Sequence, residues 1–505
     1  MGPRRTAVID LGSNSFRLVV FTSDEGWWQR TDEIFEAVRI GEGQEPGGPL
    51  GDEPMERALS TIDVFSHFCS AADLLPQDVD AVATSAIRDA SNREAFLIRV
   101  RDLSGLAVRV LSREEEARAG YLAAVNTTTL TDGVVLDLGG GSLQLVEVRG
   151  RHAAELRSWS LGAVRMTERF LPGGGSVKSK ALKALRAHAR GEVAAAPWLQ
   201  RTARVVGLGG AVRNLATAAQ EAAGLPSIGV QGFVLDRDAL DDLIERLAGM
   251  DARERGKVPG IKAGRADVIL AGAVVIEAVL REAGCDDLEV TEAGLREGVF
   301  FERTLPGDPP LVDDVRRASV RNLAARHGAD TEHTEHVAAL SLGLFDELAA
   351  HGLHGGDPIE RELLWAAARL HDIGMTVDYD DHHKHSRYLI LNAGLPGFAP
   401  AELALIAQAA RYHRKGMPDL GPFAGLARPG DEQCLDRLSV LLRLAEDLER
   451  SRDQLVRAAH VARADSEVLL ELDAPGEARV ARWAAERETD LFARAFGRDL
   501  AITKR

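Results

Sequence analysis

The chain has 505 residues, 45% of them apolar and 27% charged, which describes folded protein in three or four domains and excludes disorder as its main theme. Its 61 Lys and Arg against 77 Asp and Glu give a formal net charge of −16, so a surface that embraces nucleic acid throughout is excluded, although a local basic channel would be hidden in that sum. Three widely separated cysteines, Cys69, Cys285 and Cys434, form neither a disulfide framework nor a CxxC metal site and fit a reducing cytoplasm. No apolar run nears the roughly 18 residues of a membrane span, and Asp10 interrupts the stretch behind the N-terminal arginines before a signal-like core forms.

The first predicted element is the strand Ala7-Val8-Ile9, which leads into DLGSNSFRLVV at 10–20. The same device returns when Val134-Val135-Leu136 leads into DLGGGSLQLVE at 137–147. Aligned without gaps, Asp10/Asp137, Leu11/Leu138, Gly12/Gly139, Ser15/Ser142, Leu18/Leu145 and Val19/Val146 are identical. Each copy reads as an apolar strand, an acid, a polar glycine turn and a second strand. Glycine tolerates positive φ and lets a phosphate approach backbone N–H groups. One such turn could be a structural hairpin. Two of them, each beside a carboxylate, predict a duplicated α/β fold whose phosphate loops face each other across a cleft and suit a phosphate with its Mg²⁺. Neither copy has the GxxxxGK[ST] pattern of a P-loop.

Between the two turns lie Val82-Ala83-Thr84-Ser85-Ala86-Ile87-Arg88-Asp89 and Leu111-Ser112-Arg113-Glu114-Glu115-Glu116. Ser112 reads as the N-cap of a helix, and acids in a first turn suit its dipole, which accounts for Glu114 or Glu115 without any chemistry. A third glycine turn, Gly207-Leu208-Gly209-Gly210-Ala211, follows another apolar strand and reads equally well as a structural strand-to-helix turn. The proline-rich stretch at 304–310 reads as a linker. Beyond it the 3.6-residue pattern of Val337, Leu340, Leu344 and Leu348 predicts helices. A strand is expected only near the end, at 468–472.

The stretches AVIDLGSNSFRLVV, ATSAIRDASN, LSREEEARAGYLAAV, VVLDLGGGSLQLVEV, SLGAVRMTERF, VVGLGGAVRNLA, PGIKAGRADVILAGA and VTEAGLREGVFFE carry a resemblance to one family. Over residues 7–303 the chain resembles the exopolyphosphatase / guanosine pentaphosphate phosphohydrolase (Ppx/GppA) family of the acetate kinase–Hsp70–actin superfamily, and the rest is similar to that family's long-form helical extension. The resemblance implies two actin-like, ribonuclease H-like α/β lobes at 1–125 and 126–303, a linker at 304–312, and an all-α HD-like domain at 313–505 with a small C-terminal subdomain. It implies Glu116 as the base that activates the attacking water. It implies Arg88, Ser13, Asn14, Gly139, Gly140, Gly141, Ser142, Gly209 and Gly210 as phosphate ligands, and Asp137 with Asp10 as the holders of Mg²⁺ (or Mn²⁺). Two departures stand out: Gln144 where Glu is usual, removing a carboxylate, and Ala211 where a hydroxyl residue is usual.

The expected activity is therefore metal-dependent, processive hydrolysis of terminal phosphate from inorganic polyphosphate by a cytoplasmic homodimer that engages neither nucleic acid nor membrane. The rival readings are hydrolysis of pppGpp to ppGpp in the same site, and an actin-like ATP-binding regulatory module. In the helical region, His371-Asp372 at a helix end, His333 upstream and an acid downstream resemble the HD phosphohydrolase pattern, with Glu446 at the usual final aspartate and Asp447 beside it. The favoured expectation there is a relic whose His-Asp pair is hydrogen-bonded structurally. The basic runs HHKH at 382–385 and RYHRK at 411–415, with Lys384, Arg414 and Lys415, are expected to form a path for a polyanion.

Overall fold

The computed structural model describes residues 2–45 and 47–504. The chain divides into two units, Met1–Val315 and Arg316–Arg505.

In the first unit, runs of β-branched and aromatic residues make strands buried on both faces. The strands β1 (Arg4–Leu11), β2 (Phe16–Asp24), β3 (Trp27–Glu36), β4 (Val79–Ala83) and β5 (Val108–Val110) form one sheet in the order β3-β2-β1-β4-β5. The first three are joined antiparallel, and β4 and β5 add in parallel. A second sheet holds β6 (Gly133–Leu138), β7 (Leu143–Arg149), β8 (His152–Trp159), β9 (Val205–Leu208), β10 (Val234–Asp236) and β11 (Asp287–Val290), ordered β10-β11-β9-β6-β7-β8. Its β8-β7-β6-β9-β11 part repeats the pattern, two antiparallel pairings and then two parallel ones. This is the duplicated arrangement that the paired DLG turns predict.

Each sheet is sandwiched by helices, but not in chain order. The helices Asp52–Ala71 and Arg93–Ser104 cover one face of the first sheet, where Ile9, Leu18 and Ala83 meet Phe65 and Phe96. Its other face is covered by Leu295–Thr304, which comes from the far end of the second lobe and stacks Phe300 on Phe21 at 4.3 Å between ring centroids. Conversely, Arg113–Val125 precedes residue 126 yet lays Ala117, Tyr121 and Val125 on Val135, Val146 and Val206 of the second sheet. A division at 125/126 follows the chain, whereas the packing crosses these two helices over. The stretch read as a linker is also tied down: Asn126 donates to Pro310 O (3.0 Å) and accepts from Val312 N (2.8 Å), and Arg151 donates to Asp313 O (2.9 Å).

The crossed helices touch backbone to backbone, because a methyl on Gly298 would strike the carbonyl of Ala119. Alanine normally gains about 1 kcal/mol over glycine within a helix. Gly298→Ala is expected to do the reverse and destabilise the first unit by about 1–3 kcal/mol, as overpacking does. Chemical denaturation of the full chain measures this, and a stabilised variant would show that the two helices can separate freely.

The second unit is a helical bundle followed by a small sheet. Its helices include Val315–Arg326, Thr331–Ala350, Pro358–Leu370, His382–Ala393, Pro400–Tyr412 and Asp431–Leu448. The expected strand at 468–472 lies within Glu467–Asp473, between the antiparallel Ala458–Ala464 and the parallel Asp499–Lys504. Among the described residues no helix is long and apolar enough to cross a membrane.

Candidate active site

The two DLG turns meet in the first unit. Ser13 Oγ lies 2.9 Å from Ser85 Oγ and accepts from Ala86 N (3.2 Å), which ties the first turn to the segment after β4. A methyl on Gly140 would sit 3.5 Å from Asn14 Cβ, so the turns face each other directly, as expected. Between them and the third turn lies a cavity of about 130 Å³. Its wall includes Asp10, Ser13, Asn14, Glu116, Asp137 and Ser142, and also Gly139, Gly140, Gly209 and Gly210. Gly209 has φ of 104°, and any side chain there would meet the Leu138 carbonyl, so this turn does require glycine. Gly139 shapes its own turn, since its N–H already donates to Ser142 O (3.0 Å).

Three expectations change. Gly141 lies behind the wall, facing a neighbouring hollow, because a side chain there would hit Ser85 Oγ. Arg88, expected on phosphate, is not part of the wall: it donates through Nη1 to Glu116 Oε2 (2.7 Å) and Leu111 O (3.0 Å). In this conformation it holds the carboxylate. The hydroxyl absent at position 211 is absent from the protein core rather than from the wall, since Ala211 is buried among apolar neighbours such as Ile269 and Leu270.

The glutamates separate cleanly. Glu115 forms a capping box with Ser112, accepting from Ser112 N (2.8 Å), so it builds the helix end. Glu116, one residue on, turns inward and is 6% exposed. Burial pushes its carboxyl above the usual range, and the Arg88 charge works against that rise. Ser142 Oγ donates to its other oxygen, Oε1, at 3.3 Å. Gln144 completes this chain, donating through Nε2 to Ser142 Oγ at 2.9 Å from a position opposite Asp137. The amide is 1% exposed and does not reach the cavity. Gln144→Glu would replace that donor by an acceptor and draw the Ser142 proton away from Glu116. The acid limb of the pH–kcat profile is expected to move upward by about one unit. An unchanged profile would refute the relay.

Reading the sequence missed four arginines, Arg17, Arg213, Arg265 and Arg296, which all line the cavity. Burial first, and then the charge of Arg296, pull both Arg17 and Arg213 down to about 10. Arg296 pairs with Asp10 at 3.2 Å, and Arg265 lies where a Gly210 side chain would otherwise be. Each arginine follows a glycine turn within a few residues, in stretches already singled out, and that spacing was the available signal. Asp137 is raised to about 7 by burial and then by the charges of Glu116 and Asp10. Crowded cations and crowded acids in one cavity suit a bound anion with a hard cation beside it, and the carboxylate oxygens of Asp10 and Asp137 are of the kind that Mg²⁺ or Mn²⁺ takes.

The second unit gathers the other candidates. His333 Nε2 lies 3.0 Å from Glu446 Oε2, and His371 Nε2 lies 3.2 Å from the same oxygen. Asp372 Oδ2 is 3.8 Å from His333 Nε2, and its Oδ1 is 3.6 Å from His371 Nε2. Asp447 is raised to about 7 by burial and by Glu488, apart from these histidines. The HHKH run is not a basic surface strip, because His382 and His383 are buried. Lys384 and Lys415 share Asp381 at 2.6 and 4.0 Å, which offsets much of their charge, and Arg414 lies over the Tyr379 ring.

The chain matches the Ppx/GppA phosphatase family over residues 19–306 and the domain III of that phosphatase over 315–483. The crystal structure of the Aquifex aeolicus member of the Ppx/GppA family is 29% identical, with a TM-score of 0.52, covering 59% of this chain and 97% of its own. An exopolyphosphatase from Cytophaga hutchinsonii is 22% identical with a TM-score of 0.55, covering 59% and 97%, and shares the fold.

Proposed function

The chain belongs to the Ppx/GppA phosphatase family, and from that premise we propose that it removes terminal phosphate from inorganic polyphosphate. One observation carries this reading: the cavity wall sets four arginines and three carboxylates around the paired turns, and includes no aromatic face on which a guanine could stack. Arg17, Arg213, Arg265 and Arg296 bind and orient the terminal phosphoryl group. Mg²⁺ or Mn²⁺, held by Asp137 and Asp10, would neutralise charge on its oxygens. Glu116 accepts the proton of the attacking water at Oε1, which only the longer Ser142 contact engages. Arg88 fixes the opposite oxygen and keeps the carboxylate aimed.

Phosphate release from long polyphosphate and from pppGpp, measured on one preparation, tests the proposal. At least tenfold higher kcat/KM on polyphosphate is expected. Equal or better hydrolysis of pppGpp would transfer the assignment to the nucleotide.

A further inference from the structure

The histidine cluster of the second unit leaves two buried imidazole nitrogens, His333 Nδ1 and His371 Nε2, without a hydrogen-bond partner. The ligand atoms of His333, His371 and Asp372 lie within 4.8 Å of one another, and so do those of Asp372, His382 and His413, with Asp372 common to both groups. All five side chains are buried. Three of the imidazoles are oriented in the same way. Nδ1 of His371 faces Ala368 O at 2.7 Å, Nδ1 of His382 faces Tyr379 O at 2.8 Å, and Nδ1 of His413 faces Ala410 O at 2.7 Å. A carbonyl only accepts, so each Nδ1 carries a proton, and Nε2 is the nitrogen left to meet a metal ion.

Those nitrogens converge. His382 Nε2 and His413 Nε2 are 3.1 Å apart, and Asp372 Oδ1 lies 3.2 Å from the first and 3.7 Å from the second. His371 Nε2 is fully buried with no hydrogen-bond donor, facing Glu446 Oε2, itself an acceptor. The exposed-edge Arg452 reaches only the outer oxygen of Asp372, Oδ2, at 2.8 Å. The groups come from five separate helical segments: the start of Thr331–Ala350, the end of Pro358–Leu370, the start of His382–Ala393, the end of Pro400–Tyr412 and the interior of Asp431–Leu448. Acceptors that meet from five directions suit cations between them.

We propose that the second unit holds two divalent transition-metal ions bridged by the Asp372 carboxylate. His333, His371 and Glu446 complete one ion's ligands, and His382 and His413 complete the other's. Imidazole nitrogen with carboxylate oxygen selects Mn²⁺, Fe²⁺, Co²⁺ or Zn²⁺ over Mg²⁺, which separates this centre from the all-oxygen acids of the first unit. The backbone carbonyls on Nδ1 set the tautomer and orientation, as outer partners of metal-bound histidines do.

The test loads the full-length protein with Mn²⁺ and dialyses it against excess Mg²⁺, so that magnesium occupies oxygen-only sites. Retained manganese is then counted by elemental analysis, and the pair is read by electron paramagnetic resonance. About two equivalents and an exchange-coupled signal are expected. His413→Gln should keep about one equivalent and give the signal of an isolated ion, and Asp372→Asn should lose the coupling. Asp137→Asn, in the first unit, should keep both ions. One equivalent or fewer in the wild-type protein, or two uncoupled ions, would overturn the proposal. The wild-type measurements decide it even if a variant fails to fold.

Discussion

Glu116→Gln is expected to fold as the parent does and to lose about 10²–10⁴ in kcat, because the isosteric amide cannot accept a proton from water. The geometry makes the test sharp. Glu116 lies on the cavity wall, with Arg88 on one oxygen and Ser142 on the other; the amide oxygen can keep the Arg88 contact, while its NH₂ faces Ser142 Oγ and can only donate to it. Its neighbour provides the control. Glu115 is bound into the capping box and to Arg109 at 3.1 Å, so Glu115→Gln should cost about 1 kcal/mol or less of stability and leave kcat within a few-fold. Phosphate release and thermal melts on the two variants separate base from cap. Activity of Glu116→Gln within threefold of the parent would remove it as the base.

Asp137→Asn is expected to have opposite effects on activity and on metal-free stability. The folded carboxyl is raised from about 3.8 to about 7 by burial and by the charges of Glu116 and Asp10. An acid raised on folding binds its proton more tightly in the native state than in the unfolded chain. Its contribution to stability is therefore present below about pH 4 and is lost as pH rises toward about 7. At pH 8 and without metal, the native state holds a crowded charge that asparagine would remove, at one pKa unit to about 1.4 kcal/mol. The variant should therefore melt higher than the parent in chelator, by an amount of order 2 kcal/mol after relaxation. Added Mg²⁺ should raise the parent's melting temperature and leave the variant's unchanged, while activity falls by at least about 10²-fold, as for loss of a preorganised electrostatic group. A variant that melts no higher than the parent in chelator would contradict the crowding, and one that still responds to Mg²⁺ would move the cation elsewhere.

The first lobe and its copy were legible because duplication leaves a local mark. A strand that must end in a phosphate turn needs an acid, a glycine and a small polar residue at fixed spacing, and 10–15 and 137–142 carry that spacing twice. The helical second unit, its late strand and the helix-start role of Glu114 or Glu115 were equally local, being written in a 3.6-residue period, a run of strand-forming residues and a Ser112 cap, whereas the role of Glu116 came from the family resemblance. Burial of Glu116 beside Arg88 was not, since it depends on the turn after β4 meeting a helix start 28 positions away in the chain.

What the sequence determines by itself, then, is whatever short-range stereochemistry dictates: strand, turn and cap, and through their repetition the duplicated fold. Tertiary structure alone decided which helix covers which sheet, which arginines reach the cavity, and which histidines meet at Asp372. Arg213 and Arg296 come to one wall from two separate helices, one near the middle and one at the end of the second lobe, and His333 comes within 3.0 Å of Glu446 across 113 positions. Such meetings are set by long-range packing of apolar faces, and periodicity records that a face is apolar without recording which partner it finds.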